Sequence, residues 1–326
     1  MEYKKLVVGV TGGAGLIGSY LIDNLIKKYS KVVVIDDFST GQITNISHII
    51  NDIELKKGDL ENPEFCKKSL KGCDHIYHLA SRAYGIGYSK DHQIEMLLHN
   101  ERVTNNLIEG LKFSNTESVL ITSSSCVYDD NGPDTTPELP VFLDDPEFAN
   151  RGYGWAKRFL EAKASILSRE IDIKTIIVRP FNVFGERYKW RGKNSHTIPM
   201  LISKVFSDNN PVEVWGSGNQ RRSYLHAYDC AKIIEKLFDS AYEKGPINVG
   251  LEKTISIKEL AKMISDLAKI ETSFTFDLNK PEGRLIKSSD ITLQQTLLPN
   301  FFPSVSLKEG ILRMIEWYKK SGLQKI

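Results

Sequence analysis

Tyr153 and Lys157 stand four residues apart. On a helix that spacing puts both side chains on one face. An ammonium beside a phenol favours the phenolate, so the pair predicts a tyrosine pKa below its usual value of about 10. Upstream, the run Ser123-Ser124-Ser125-Cys126-Val127-Tyr128 offers hydroxyls that complete a proton relay. Phenol, ammonium and hydroxyl together suit proton transfer to or from an alcohol being oxidised or a ketone being reduced.

These groups need a scaffold that holds a loop against a helix, and the surrounding sequence supplies one. Residues 6–10 are a short apolar run ending at Thr11-Gly12-Gly13, the pattern of a buried parallel strand and its turn. Helical periodicity follows over 14–28, then a second strand over 31–35 that stops at Asp36-Asp37. Further strands are expected at 53–57, 75–79, 118–122, 174–178 and 247–249, with helices between several of them, notably 92–113 and 152–169. Alternating strands and helices predict an α/β fold, a Rossmann-type doubly wound parallel sheet with right-handed crossovers. After Arg179-Pro180 the rhythm changes: a loop-rich stretch over 181–225 contains a helix near 197–207, and residues 256–326 read as mostly helical. The expected division is a dinucleotide-binding domain of 1–180 plus about 226–252, and a smaller, mostly helical lobe of 181–225 plus about 253–326.

The first turn carries Gly12-Gly13-Ala14-Gly15-Leu16-Ile17-Gly18 between a strand and a helix. Glycines there permit close backbone approach to a pyrophosphate, which binds the free N–H groups of the helix N-terminus. Gly12, Gly15, Leu16, Ile17 and Gly18 are therefore cofactor candidates. Asp36, at the end of the second strand, suits an adenosine ribose and would repel a 2′-phosphate, so NAD is expected rather than NADP.

Bulk properties narrow the partners. A net charge of +2 and the lack of a basic stripe argue against nucleic acid. The four cysteines form no Cys-x-x-Cys pair, so neither a metal site nor a disulfide framework is expected. No segment approaches the ~18 apolar residues of a membrane span, and no signal peptide is apparent, so a cytoplasmic location is expected.

The motifs resemble the extended short-chain dehydrogenase/reductase family, the NAD-dependent nucleotide-sugar epimerases and dehydratases. Residues 11–18, Asp36, Asp59-Leu60, His78-Leu79-Ala80, 123–128, Tyr153/Lys157 and 179–185 occur in family order over essentially the whole chain. The resemblance implies that Asp59 and Leu60 flank the adenine, that Leu79 and Ala80 line the cofactor, and that Lys157 also holds the nicotinamide ribose. It implies Ser124 as the catalytic hydroxyl, and Asn182 and Arg222 as contacts to the sugar nucleotide and its diphosphate. Ser125 and Thr197 join the expected substrate contacts. Arg82 stands where many relatives have a small residue, and is expected to contact a phosphate or close the site.

Nucleotide-sugar dehydratases carry Asp-Glu where this chain has Ser125-Cys126, so elimination of water is not expected. Cys126 instead resembles GDP-fucose synthase and GDP-mannose 3,5-epimerase, whose thiol is half of an acid/base pair beside a C4 ketone. The segment Asn194-Ser195-His196-Thr197-Ile198-Pro199 resembles that of the fucose synthase, making His196 the other half. Trp215 in Val214-Trp215-Gly216-Ser217-Gly218 resembles the same enzyme, where the tryptophan lies at the nucleotide pocket. A C4 ketone acidifies the protons on C3 and C5, and thiol and imidazole have ordinary pKa values of about 8.5 and 6.5, near enough to neutrality to move them.

The leading expectation is an NAD-dependent epimerase acting on a GDP-linked manno-type sugar, with a homodimer formed through the helices near 92–113 and 152–169. Three alternatives stay open: a UDP-sugar 4-epimerase, a GDP-sugar C4 dehydrogenase that releases the ketone, and a non-catalytic NAD-binding protein.

Overall fold

The computed structural model describes residues 3–138, 142–188, 195–207, 209–280 and 282–321. Seven strands form one parallel sheet, in the order Pro246–Val249, Lys174–Pro180, Ser118–Thr122, His75–His78, Val7–Thr11, Lys31–Asp36, Glu54–Lys57. The apolar runs Val-Val-Gly-Val and Val-Val-Val-Ile lie almost wholly buried within it, as expected of a sheet covered on both faces. On one face the helices Leu16–Leu25 and Ala227–Ser240 pack around Leu21, Leu25, Ile234 and Leu237. On the other, Pro63–Leu70, Gln93–Lys112 and Arg151–Glu170 pack around Leu70, Leu107 and Leu160.

The topology decides where a site can form. From Val7–Thr11 the chain builds outward through Lys31–Asp36 to Glu54–Lys57, then crosses back to place His75–His78 on the other side of the first strand. Helices on opposite faces leave a crevice at such a reversal, outside the carboxyl ends of the strands. Gly12, Leu79, Ser123 and Phe181 each follow directly on a strand end, so the motif residues beside them emerge along one edge.

A separate apolar core lies outside the main sheet, built from Thr197–Val205, Ile257–Ala268 and Leu307–Lys320 with Ile202, Leu260 and Met314 among its buried members. Short strands join these helices. Arg221–Ser223 pairs with Thr254–Ser256 and Ile286–Ser289, and Val212–Trp215 pairs with Phe274–Asp277. The strands Phe274–Asp277 and Ile286–Ser289 fall in the stretch expected to be mostly helical. Each has only four residues and draws its stability from a partner remote in sequence.

Candidate active site

Tyr153 and Lys157 lie in the first turns of the helix Arg151–Glu170 and both are buried. Lys157 Nζ donates to the carbonyl oxygen of Thr122 at 2.8 Å and lies 5.6 Å from the centre of the Tyr153 ring. Burial pulls the Lys157 pKa down to about 8, against the opposing pull of Glu161 and Cys126. The hydroxyls of Ser81 and Ser124 reach the Tyr153 phenol. Ser124 Oγ also accepts from the Cys126 amide at 3.1 Å, capping the short turn Ser125–Val127.

The expected lowering of the Tyr153 pKa is not found. Burial raises it, the nearby Cys126 raises it further, and only Ser81 and Ser124 act in the other direction. The ammonium spends its short contact on a backbone carbonyl, so desolvation of the phenol dominates.

A buried network fixes this end of the sheet. Arg179 donates to both carboxylate oxygens of Glu161, at 2.8 and 2.6 Å, and to the Tyr128 hydroxyl at 3.0 Å. Glu161 accepts from Ser123 Oγ at 2.5 Å, which ties the serine run to the helix bearing Tyr153.

Cys126 sits beside two charged groups that the motif reading did not single out. Its Sγ is 3.8 Å from Lys287 Nζ and 3.9 Å from Glu147 Oε2, and Lys287 donates to that same oxygen at 2.9 Å. Burial works against charge on Glu147, but Lys287, with Arg222 behind it, holds its pKa at about 2. Burial raises the Cys126 pKa more than Lys287 lowers it. His196 immediately precedes the helix Thr197–Val205 with its ring against the Tyr188 hydroxyl, which also accepts from the His196 amide at 3.1 Å. His196 as a residue is exposed, yet desolvation by the protein around the ring pulls its pKa down to about 4. Thiol and imidazole therefore both rest neutral, displaced in opposite directions from the mid-range values expected of them. Asn194 lies outside the described residues.

At the other end of the cleft, Gly12 has φ +68, and a Cβ there would lie 2.8 Å from the Ala80 nitrogen. A Cβ on Gly18 would lie 2.4 Å from the Gly12 oxygen, so the turn closes this tightly only with glycine. The helix Leu16–Leu25 begins at Gly15 with no side-chain cap and no acidic residue in its first turn. Its N-terminus is thus left for an anion. Asp36 is buried and accepts from the amides of Ala14 and Phe38 at 2.9 and 2.8 Å. Burial raises its pKa while those two amides lower it.

Every residue singled out from the sequence lines one cleft of about 530 Å³. The phenol, thiol and imidazole all line it, together with Asp59, Leu60, Leu79, Ala80, Arg82, Ser125, Asn182, Thr197, Trp215 and Arg222. Arg82 Nε, Thr122 Oγ1, Asn182 Nδ2, Arg187 Nη1, Ser195 Oγ and Gln220 Oε1 belong to its lining and are buried without a hydrogen-bond partner among the described residues. Buried polar atoms are normally paired, so a cleft lined by six unpaired ones suits a polar ligand. Asn182 also holds φ +37, a left-handed conformation uncommon outside glycine and a mark of functional loops.

The sequence profile of the NAD dependent epimerase/dehydratase family matches residues 8–250. The chain belongs to this family. Along 99% of its length this epimerase/dehydratase family member is 29% identical to UDP-glucuronic acid decarboxylase 1 of Arabidopsis thaliana, covering 72% of that protein. It is 26% identical to GDP-L-fucose synthase of Dictyostelium discoideum, over 97% of this chain and 96% of that one. Among solved structures it matches UDP-N-acetylglucosamine 4-epimerase from Methanobrevibacter ruminantium M1, in complex with UDP-N-acetylmuramic acid. That match has a TM-score of 0.86 and 27% identity, covering 98% of this chain and 99% of the other. The family's cofactor is NAD, and the glycine turn, the uncapped helix and Asp36 fit it.

Sequence reasoning missed Lys287, Glu147, Ser81 and Tyr188. None carries a local signature. Lys287 and Glu147 are 140 residues apart in sequence and meet only in the folded chain.

Proposed function

We propose that this epimerase/dehydratase family member is a nucleotide-sugar epimerase acting through a transient C4 ketone, on a GDP-linked manno-type sugar with proton exchange at C3 or C5. The observation that carries this reading is the presence of Cys126 and His196 in the same cleft as Tyr153 and Ser124. The likeness to a GDP-L-fucose synthase supports the GDP-linked substrate.

Bound NAD supplies the reversible two-electron oxidation of the sugar alcohol. Gly12, Gly15, Leu16, Ile17 and Gly18 hold its pyrophosphate, Asp36 its ribose, and Asp59, Leu60, Leu79 and Ala80 the remainder of its length. Lys157 holds the nicotinamide ribose. Tyr153 takes the proton of the C4 hydroxyl and returns it, with Ser124 and Ser81 stabilising the phenolate that burial disfavours. Arg222 and Arg82 hold the diphosphate by charge-assisted hydrogen bonds, Asn182 and Thr197 the sugar nucleotide, and Trp215 stacks on the base. Ser125 orients the sugar. Cys126 and His196, as neutral acid and base, then exchange the proton on the carbon beside the ketone.

We assign NAD binding to residues 1–180 plus about 226–252, and substrate binding to 181–225 plus about 253–326. Ile94, Leu98, Phe159 and Ile166 are exposed on the paired helices Gln93–Lys112 and Arg151–Glu170, which supports a homodimer through that face.

The test is solvent labelling. Turnover of GDP-mannose-type sugars in D2O is expected to place deuterium at C3 or C5; turnover without label removes the carbon acid/base step. The second reading is a UDP-sugar 4-epimerase, supported by the likeness to the archaeal 4-epimerase. It predicts undiminished activity in Cys126→Ala and His196→Ala, because a ketone that turns over in the pocket needs neither.

A further inference from the structure

The wall of the cleft behind Cys126 holds an ion pair that stability alone does not explain. Lys287 and Glu147 are both buried, at 5% and 4% exposure. Replacing such a pair with apolar side chains of similar volume is often neutral or stabilising. Its setting is nevertheless elaborate. Parallel pairing of Arg221–Ser223 with Ile286–Ser289 places Arg222 and Lys287 side by side as register partners. Both cations bear on Glu147, and Asn150 Nδ2 donates to the carboxylate at 3.2 Å. The group that this arrangement serves is the sulfur, which stands 3.8 Å from the ammonium and 3.9 Å from the carboxylate.

We propose that the Lys287 ammonium, clamped by Glu147, is the counter-ion for the thiolate form of Cys126, a positioning residue that lets the sulfur give up and recover a proton at a substrate carbon. This rests on the acid/base role given to Cys126 above. When Cys126 protonates the carbon beside the ketone, the S–H bond breaks and a C–H bond forms from the electron pair of the enolate. The negative charge passes to sulfur and meets Lys287. In the reverse direction the thiolate takes the proton and Lys287 is left paired with Glu147 alone.

The two charges act on the thiol in opposite senses, Lys287 lowering its pKa and Glu147 raising it. Two further groups face it from the helix Arg151–Glu170: Tyr153 and Lys157, both of which respond to its charge. On its own turn only the Ser124 hydroxyl does so. A counter-ion role therefore makes a signed prediction that mere loosening of the fold cannot mimic.

The experiment is the pH dependence of iodoacetamide alkylation of Cys126, followed by peptide mass spectrometry on the full chain. Cys66, Cys73 and Cys230 are fully buried with raised pKa values and serve as slow internal references. Lys287→Met is expected to move the inflection up by about one pH unit or more, a tenfold slower reaction at fixed pH below it. Glu147→Gln is expected to move it down. Lys287→Arg, which keeps the cation, is expected to leave it within about half a unit of the starting protein. Unmoved inflections, or shifts of the same sign in Lys287→Met and Glu147→Gln, overturn the proposal. Should Lys287→Met fail to fold, the downward shift in Glu147→Gln carries the test, and its absence is equally decisive. Deuterium labelling separates the two claims. Opposed shifts without label at C3 or C5 uphold the counter-ion and remove the epimerase reading; label with unmoved inflections does the reverse.

Discussion

Lys157 donates its ammonium to the carbonyl oxygen of Thr122 at 2.8 Å, tying the second turn of one helix to the last residue of a sheet strand. The tie fixes the cation but buries it, and its pKa falls to about 8. Activity that needs the charged form is expected to decline as pH rises through about 8, visible as the alkaline limb of a kcat/KM profile. Stability is expected to move the other way. An unfolded lysine titrates near 10.4, so between about 8 and 10 the unfolded chain binds more protons and the Lys157 contribution rises with pH. Urea titrations across that window check the sign, and Lys157→Met abolishes the trend.

Tyr153→Phe removes the proposed proton carrier while leaving the ring and its packing. A fall in kcat of about 10²- to 10⁴-fold is expected, with NAD affinity little changed in a fluorescence titration. Retained turnover would place the proton transfer elsewhere.

Ser124→Ala removes two contacts at once, the reach to the Tyr153 phenol and the cap on Ser125–Val127. Ser81 shares the first, so the kcat loss is expected to be smaller than for Tyr153→Phe. The lost cap is expected to cost about 1 kcal/mol in chemical denaturation.

Asp36→Ala frees the amides of Ala14 and Phe38 and takes away the carboxylate proposed to hold the ribose. NAD binding is expected to weaken by about 1.5–3 kcal/mol, the range for hydrogen bonds to a charged group. Preference for NAD over NADP is expected to shrink with it, because the repulsion of a 2′-phosphate is gone. Calorimetric titration with both dinucleotides measures each effect.

Glu161→Ala takes the carboxylate from Arg179, whose side chain is 2% exposed. Loss of one partner from a buried pair is expected to destabilise by about 3–5 kcal/mol, read from the midpoint of urea unfolding. Ser123 loses its acceptor in the same change, so kcat is expected to fall as well.

Much of the fold and site was legible because it is written in short-range spacing. A buried strand followed by a glycine turn and a helix can be read at 6–28, and the end of the next strand places Asp36. The four-residue interval of Tyr153 and Lys157 needs only one helix. The strands Phe274–Asp277 and Ile286–Ser289 were illegible because each is short and completed by a distant partner.

By itself the sequence determined the α/β architecture and the glycine turn, since each follows from periodicity or from a motif within a few residues, while Cys126 and His196 stood out only through a family resemblance. It did not determine their charge states. The spacing of Tyr153 and Lys157 predicts a lowered phenol pKa, and burial raises it instead. Nor did it place Lys287 against Cys126, 161 residues away. Desolvation and Coulomb interactions depend on what surrounds a group in space. Only the packed tertiary structure sets those surroundings.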